Sequence, residues 1–137
     1  MNYLKHGNRL VLHTLISPLI WGLLPFAMVL DLVATIHQVI CFPIYGLKRL
    51  KRSDYILIID RNKLAYLDKG QKIGCMYCGY MNGLFAYLKE IGALNEKYWC
   101  GIMHEKKPGF KPQPHQARQH FAKFNDQADF ERKYPKK

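Results

Sequence analysis

The stretch Leu10 to Leu47, LVLHTLISPLIWGLLPFAMVLDLVATIHQVICFPIYGL, holds a single acid, Asp31, and no Lys or Arg in 38 residues. A bilayer core of ~30 Å needs about 20 apolar residues as a helix, so one crossing fits between Leu10 and Leu30. A secretory signal peptide has a shorter apolar core and a small-residue cleavage site. Here there is no such site, and the apolar run continues past Asp31. The expectation is a retained membrane segment over 10–47. A buried helical hairpin of a soluble protein is the competing reading, but the remaining chain is too small and too polar to cover two such helices.

Two arrangements of this segment are open. Pro18, Pro25 and Pro43 interrupt it, and a proline inside a helix kinks or ends it. One arrangement is a crossing at 10–30 followed by an interfacial helix at 32–47. The other is a helical hairpin turning near Pro25 to Asp31, re-entrant or fully spanning. A hairpin would bring His13 and His37, equidistant from Pro25, to similar depth, where two imidazoles can ligate a haem iron. The plainer reading gives each a local hydrogen bond, with Asp31 at the turn or the headgroup level. Cys41 reads as a small buried hydrophobe.

The chain has 137 residues and a formal net charge of +11, from 21 Lys+Arg against 10 Asp+Glu. That length excludes a multi-domain enzyme with separate cofactor and substrate modules. The basic excess lies at both ends, and it calls for an anionic partner. Beside the apolar segment, the cluster Lys48, Arg49, Lys51 and Arg52 fits membrane lipid headgroups. The positive-inside rule places this cluster in the cytoplasm. The expected location is therefore the inner (cytoplasmic) membrane, with everything after residue 48 on the cytoplasmic side.

From Ser53 the texture changes. Tyr55 to Ile59 is a β-prone run, Asp60 to Lys63 supplies turn residues, and Leu64 to Leu67 is a second run, so the pattern reads as a β-hairpin ended by Asp68-Lys69-Gly70. A helix is expected to open at Asn82-Gly83, with Leu84, Tyr87, Leu88 and Ile91 on one face and Gly92 as its stop. The fold class expected is α+β. Its parts are a basic segment 1–9, the membrane-embedded segment 10–47, a basic collar 48–53, a cytoplasmic metal-binding unit 54–104 and a Pro-containing basic tail 105–137.

The chemistry-bearing pattern is Cys75-x2-Cys78, 21 intervening residues, then Cys100-x3-His104. Four such ligands in two close pairs match a structural Cys3His zinc site. Iron is the alternative metal, since ligand identity alone does not exclude it. A site closed by four protein ligands leaves no position for a catalytic water, so this one would stabilise folding. A thiol oxidoreductase built on Cys75 and Cys78 is the competing enzyme reading. A disulfide is disfavoured in a reducing cytosol. Tyr77, Tyr80, Tyr98 and Trp99 beside the ligands are candidate partner contacts, with core packing around the metal as the plainer reading.

The segments CFPIYGLKRLKRSDY, DRNKLAYLD, CMYCGYMNGLFAYLKEIG and YWCGIMH resemble a family of small bacterial membrane-associated proteins with a CxxC…YWCxxxH pattern. Relatives carry Pro-Ile-Lys between the third cysteine and the histidine, where this chain has Gly101-Ile102-Met103. The resemblance implies membrane association and no particular reaction. In the tail, Pro108, Pro112 and Pro114 imply an extended start, and His115 and His120 read as solvated surface groups. Phe121, Phe124 and Phe130 among basic residues also suit single-stranded nucleic acid, but a membrane segment in the same chain favours lipid or a membrane-protein partner. No Ser/His/Asp order, paired carboxylates or phosphate loop points to a reaction. The expected function is a membrane-anchored zinc-binding accessory or scaffold protein without catalysis of its own, a small subunit of a membrane complex. A membrane-associated thiol or metal-dependent redox enzyme is the alternative.

Overall fold

The structure, a computed structural model, describes residues 9–58, 60 and 63–135. Among the described residues five α-helices follow one another: α1 (Leu10–Trp21), α2 (Leu23–Tyr45), α3 (Lys69–Trp99), α4 (Pro114–Arg118) and α5 (Gln127–Lys133). Among the described residues there is no strand, only one isolated parallel bridge between Ile102 and Ala122. The α+β class is thereby corrected to a helical fold. The chain divides into two compact units, the first ending at Leu88 and the second running from Lys89.

In the first unit α1 and α2 continue one into the other. Gly22 has right-handed helical angles (φ −63°, ψ −18°), and its amide donates to the Pro18 carbonyl at 2.8 Å. Val11–Tyr45 therefore forms one helical run of 35 residues, long and apolar enough to cross a membrane. The prolines do not break it. Pro18 has no N–H for the Thr14 carbonyl, and the Ser17 hydroxyl supplies the missing donor at 2.8 Å. Because the run is continuous, the turn expected near Pro25 to Asp31 is absent. His13 and His37 lie 24 positions apart on it, about 36 Å at the helical rise, so they do not meet at one iron.

The helix ends where the sequence allows a reversal. Gly46 takes φ +67°, and the amides of Leu47 and Gly46 bond the Phe42 and Pro43 carbonyls at 2.8 and 3.2 Å. This pairing of bonds is the Schellman stop, and it sends the chain back along α2. Residues 47–58 form a strap containing a short 3-10 turn at Arg52–Asp54.

The predicted β-hairpin is not formed. Ile59, Arg61 and Asn62 lie outside the described residues, but Tyr55–Ile58 belong to the strap. The strap's backbone lies against α3 where α3 has no side chain: a Cβ on Gly83 would sit 2.5 Å from the Tyr55 carbonyl oxygen, and one on Gly79 2.7 Å from that of Leu57. Ile56 is buried there with Met81, Leu84 and Tyr87. The apolar residues that read as a strand serve this packing instead of a ladder.

Helix α3 is also longer than its apolar period implies, 31 residues instead of a start at Asn82 and a stop at Gly92. It starts at a capping box. The Asp68 carboxylate accepts from the Gln71 amide at 2.8 Å, and the Gln71 side chain accepts from the Asp68 amide at 3.1 Å. The D-x-x-Q spacing was the available signal.

In the second unit, the end of α3 is closed by Gly101 (φ +65°), where a Cβ would collide with the Tyr134 hydroxyl. Phe121, Ala122, Ala93 and Ile91 are buried. Polar groups complete this small core. Glu96 takes hydrogen bonds from His115 at 2.5 Å and Gln116 at 2.6 Å. Asp129 takes them from the Lys123 amide at 2.9 Å, from Lys133 at 3.0 Å and from Arg132. His115, expected at the surface, is buried because it serves Glu96. Lys97 bonds the Tyr134 hydroxyl at 2.9 Å and lies over the Phe121 ring.

Candidate functional site

The first candidate is the proposed metal centre, and the structure does not assemble it. Cys75 and Cys78 lie inside α3, one turn apart, and with Gly79 and Asn82 they line a shallow cavity of about 340 Å³. Cys100 directly follows the last residue of α3 and is exposed. His104 is exposed and packs edge-on against Phe110. Among the described residues no three metal-ligating side chains come together. A Cys3His site needs the 21 residues between the pairs to fold back as a loop. Here they are helix, which carries its end away at ~1.5 Å per residue. The zinc-stabilised fold unit is corrected accordingly.

The second candidate lies on α2. Its buried positions are Ala27, Asp31, Ala34, Gln38 and Phe42, which recur at helical spacing and make one face. Two of the five are polar and two are alanines. The outward residues are apolar instead: Val29, Leu30, Leu32, Val33, Ile36, Val39, Ile40 and Ile44 are all exposed. This inverts the ordinary arrangement of an amphipathic helix.

Each inward polar group is satisfied by a residue from the strap or α3. The Asp31 carboxylate accepts three contacts from Arg52, the shortest 2.6 Å, and a fourth from the Tyr80 hydroxyl at 3.1 Å. One turn-pair further on, the Gln38 side-chain oxygen accepts from the Leu50 amide at 2.8 Å, and its NH2 donates to the Tyr87 hydroxyl. The Schellman reversal makes both possible, since it lays residues 50 and 52 beside residues 38 and 31. The bond to Asp31 raises the Arg52 pKa still further, so the guanidinium stays charged. Burial, then the hydrogen bond to Asp31, pushes the Tyr80 hydroxyl up and keeps it a donor.

Two cavities flank this network. One, of about 560 Å³, is lined by Leu24, Met28, Leu32 and Thr35 with Asp31, Arg52 and Tyr80. Its neighbour, about 190 Å³, is lined by Thr35, Gln38, Val39, Arg49, Leu50, Arg52 and Tyr87. Thr35 and Arg52 belong to both, so the two form one furrow along α2.

The other residues singled out in the sequence fall as follows. Lys48, Arg49 and Lys51 are exposed, and only Arg52 of the collar turns in to an acid. Tyr77 donates to the Ile20 carbonyl at 2.7 Å and packs at a tilt against Trp21, ring centroids 4.8 Å apart. Together with Tyr80 it serves contacts within the chain. Tyr98 and Trp99 form an exposed T-shaped pair at 5.2 Å. In the second unit His104, Lys106, Lys107, Phe110, Lys123 and Phe124 line a cavity of about 730 Å³. Sequence reasoning missed the Asp31–Arg52 pair. Its signal was a lone acid in an apolar run followed, after one glycine reversal, by a basic cluster. No protein family, curated protein or solved structure matches this chain.

Proposed function

We propose that this protein is a membrane-embedded anchor and scaffold, with α1 and α2 in the bilayer and its basic C-terminal unit presented at the membrane surface. The observation that supports this reading is the inverted face of α2. In water, exposing eight large apolar residues while burying an aspartate and a glutamine is unfavourable on both faces. In lipid both preferences reverse: the hydrocarbon accepts the apolar side, and every inward polar group must find a partner in the protein. Asp31, Gln38 and the Thr14 carbonyl freed by Pro18 all have one. A run of 35 residues is about 52 Å long, so it exceeds the ~30 Å core and must tilt or enter a headgroup layer. The basic collar favours the cytoplasmic side of an inner membrane for residues 48–52.

The test is extraction. The full chain expressed in bacteria is expected to remain in the membrane pellet after alkaline carbonate and to enter solution only with detergent. Quantitative release by carbonate would overturn the reading. The redox alternative draws on Cys75 and Cys78 sharing one cavity. Alkylation of the living cell separates the two readings: a dithiol that cycles leaves a fraction of the pair protected until reduced, whereas a scaffold's thiols are fully alkylated at once.

A further inference from the structure

The furrow along α2 has two chemically different ends. Toward residue 24 its walls are Leu24, Met28 and Leu32, its middle holds the Asp31–Arg52 pair with Tyr80, and toward residue 39 its polar walls are Gln38 and Arg49. The apolar end, Leu24 to Leu32, is about 12 Å long at the helical rise, room for roughly the first half of a fatty acyl chain. The charges at the polar end do not cancel. Arg52 is paired with Asp31 through Nε and Nη2, and Arg49 has no acid partner among the described residues. One positive charge therefore remains at the mouth of an apolar slot.

We infer that this furrow is a binding site for one anionic phospholipid, its phosphate between Arg49 and Arg52 and one acyl chain along Leu32, Met28 and Leu24. The inference rests on the membrane-embedded reading and deepens it. A phosphodiester carries one negative charge, which matches the single surplus cation. Arg52 keeps Nη1 for the phosphate oxygens while its other nitrogens hold Asp31. The apolar lining supplies a surface that a free phosphate does not use. The site thus selects a charged lipid from a neutral one by Arg49, and a lipid from a soluble phosphate by its tail.

The experiment uses the full chain in a mild neutral detergent, with bound lipid counted by native mass spectrometry. The probes are phosphatidylglycerol and phosphatidylcholine with the same acyl chains, and glycerol 3-phosphate without chains. The native protein is expected to retain one phosphatidylglycerol at least about ten-fold over phosphatidylcholine, equivalent to ~1.4 kcal/mol, and to retain no glycerol phosphate. Arg49→Gln, a residue with no structural partner, is expected to erase the preference. Leu32→Trp, which fills the slot, is expected to lower retention of both lipids. Equal retention of the two lipids, an unchanged preference in Arg49→Gln, retention of glycerol phosphate to the same level, or a furrow closed in a lipid-free dimer each overturns the inference. Carbonate extraction of the same proteins keeps the two readings apart. If the chain stays in the membrane without lipid preference, only the furrow assignment fails; if it is released, the anchor reading fails as well.

Discussion

Helix α2 and the unit from Lys89 onward both bury ionised side chains, but for opposite reasons. In the C-terminal unit, Glu96 and Asp129 sit among Phe121, Ala122 and Ala93 in a core too small to be filled by apolar residues alone, and the exposed residues mix basic groups such as Lys106, Lys107, Lys111 and Arg118 with polar and aromatic ones. In α2 the inward face holds two alanines, two polar groups and Phe42, and most of the large apolar residues lie outside. Burial of a polar group therefore has no fixed meaning. Beside a mixed polar surface it completes a small core, and beside an apolar surface it fits the side turned from lipid in the anchor proposed above.

The sharpest way to break the first half of this comparison is Gly83→Ala. A Cβ there would lie 2.5 Å from the Tyr55 carbonyl and 2.8 Å from the Ile56 Cα. Both are backbone atoms of the strap that carries Arg52 to Asp31. The expected loss is about 3 kcal/mol, read as a fall in the thermal midpoint in detergent, and an unchanged midpoint would show that the strap does not press on α3.

Next in size is the ion pair itself. Asp31→Ala leaves the Arg52 guanidinium without its acid; because that side chain is 45% exposed, solvent recovers part of the loss, and about 2 kcal/mol is expected instead of the 3–5 kcal/mol of a fully buried pair. The combined Asp31→Ala, Arg52→Gln protein should lose less than the sum of its two single substitutions. Strictly additive losses in that cycle would mean that the two residues do not act together.

A smaller effect, about 1 kcal/mol, is expected from Asp68→Ala, which removes one half of the capping box at the start of α3. Hydrogen exchange localises it: protection should fall over residues 69–74 and nowhere else in the helix, and a uniform change would contradict a capping role.

The last prediction concerns the C-terminal unit and is read by lowering the pH. The Lys123 amide, then Lys133 and Arg132, holds the Asp129 carboxyl at about 2, below its ordinary 3.8. Glu96 is also lowered: burial opposes its charge, but the bonds from His115 and Gln116 outweigh it. Both groups are depressed on folding, so their stabilisation is present above the unfolded values and is lost as pH falls through the folded ones. Exchange protection over residues 115–134 should hold down to about pH 5 and collapse towards pH 2. In Asp129→Asn the acid step should shrink, with less protection already at pH 7. If the native profile is flat to pH 2, these carboxylates do not hold the unit together.

The apolar run, its length and its lone acid were readable because they depend on composition alone. So was the helical face of Leu84, Tyr87 and Ile91. The hairpin at Tyr55–Leu67 was misread because β-prone residues that pack backbone-on against Gly79 and Gly83 have the same composition as a strand. A zinc-stabilised fold unit was expected from Cys75, Cys78, Cys100 and His104 because spacing counts residues, not the path between them. A loop of 21 residues returns to its start, and a helix of 21 residues does not.

What the sequence by itself determined is therefore the one-dimensional part: an apolar helix long enough to cross a bilayer, its Schellman stop at Gly46, the basic residues after it and the D-x-x-Q start of α3. Each depends on neighbours within a few positions. Only the tertiary structure decided which side of α2 faces inward, that Asp31 meets Arg52 and Tyr80, that Gln38 meets Leu50 and Tyr87, and that no three metal-ligating side chains come together among the described residues. Those depend on a chain reversal and on two glycines that let the strap approach α3, and contacts between residues 12 to 49 positions apart leave no periodic trace in the sequence.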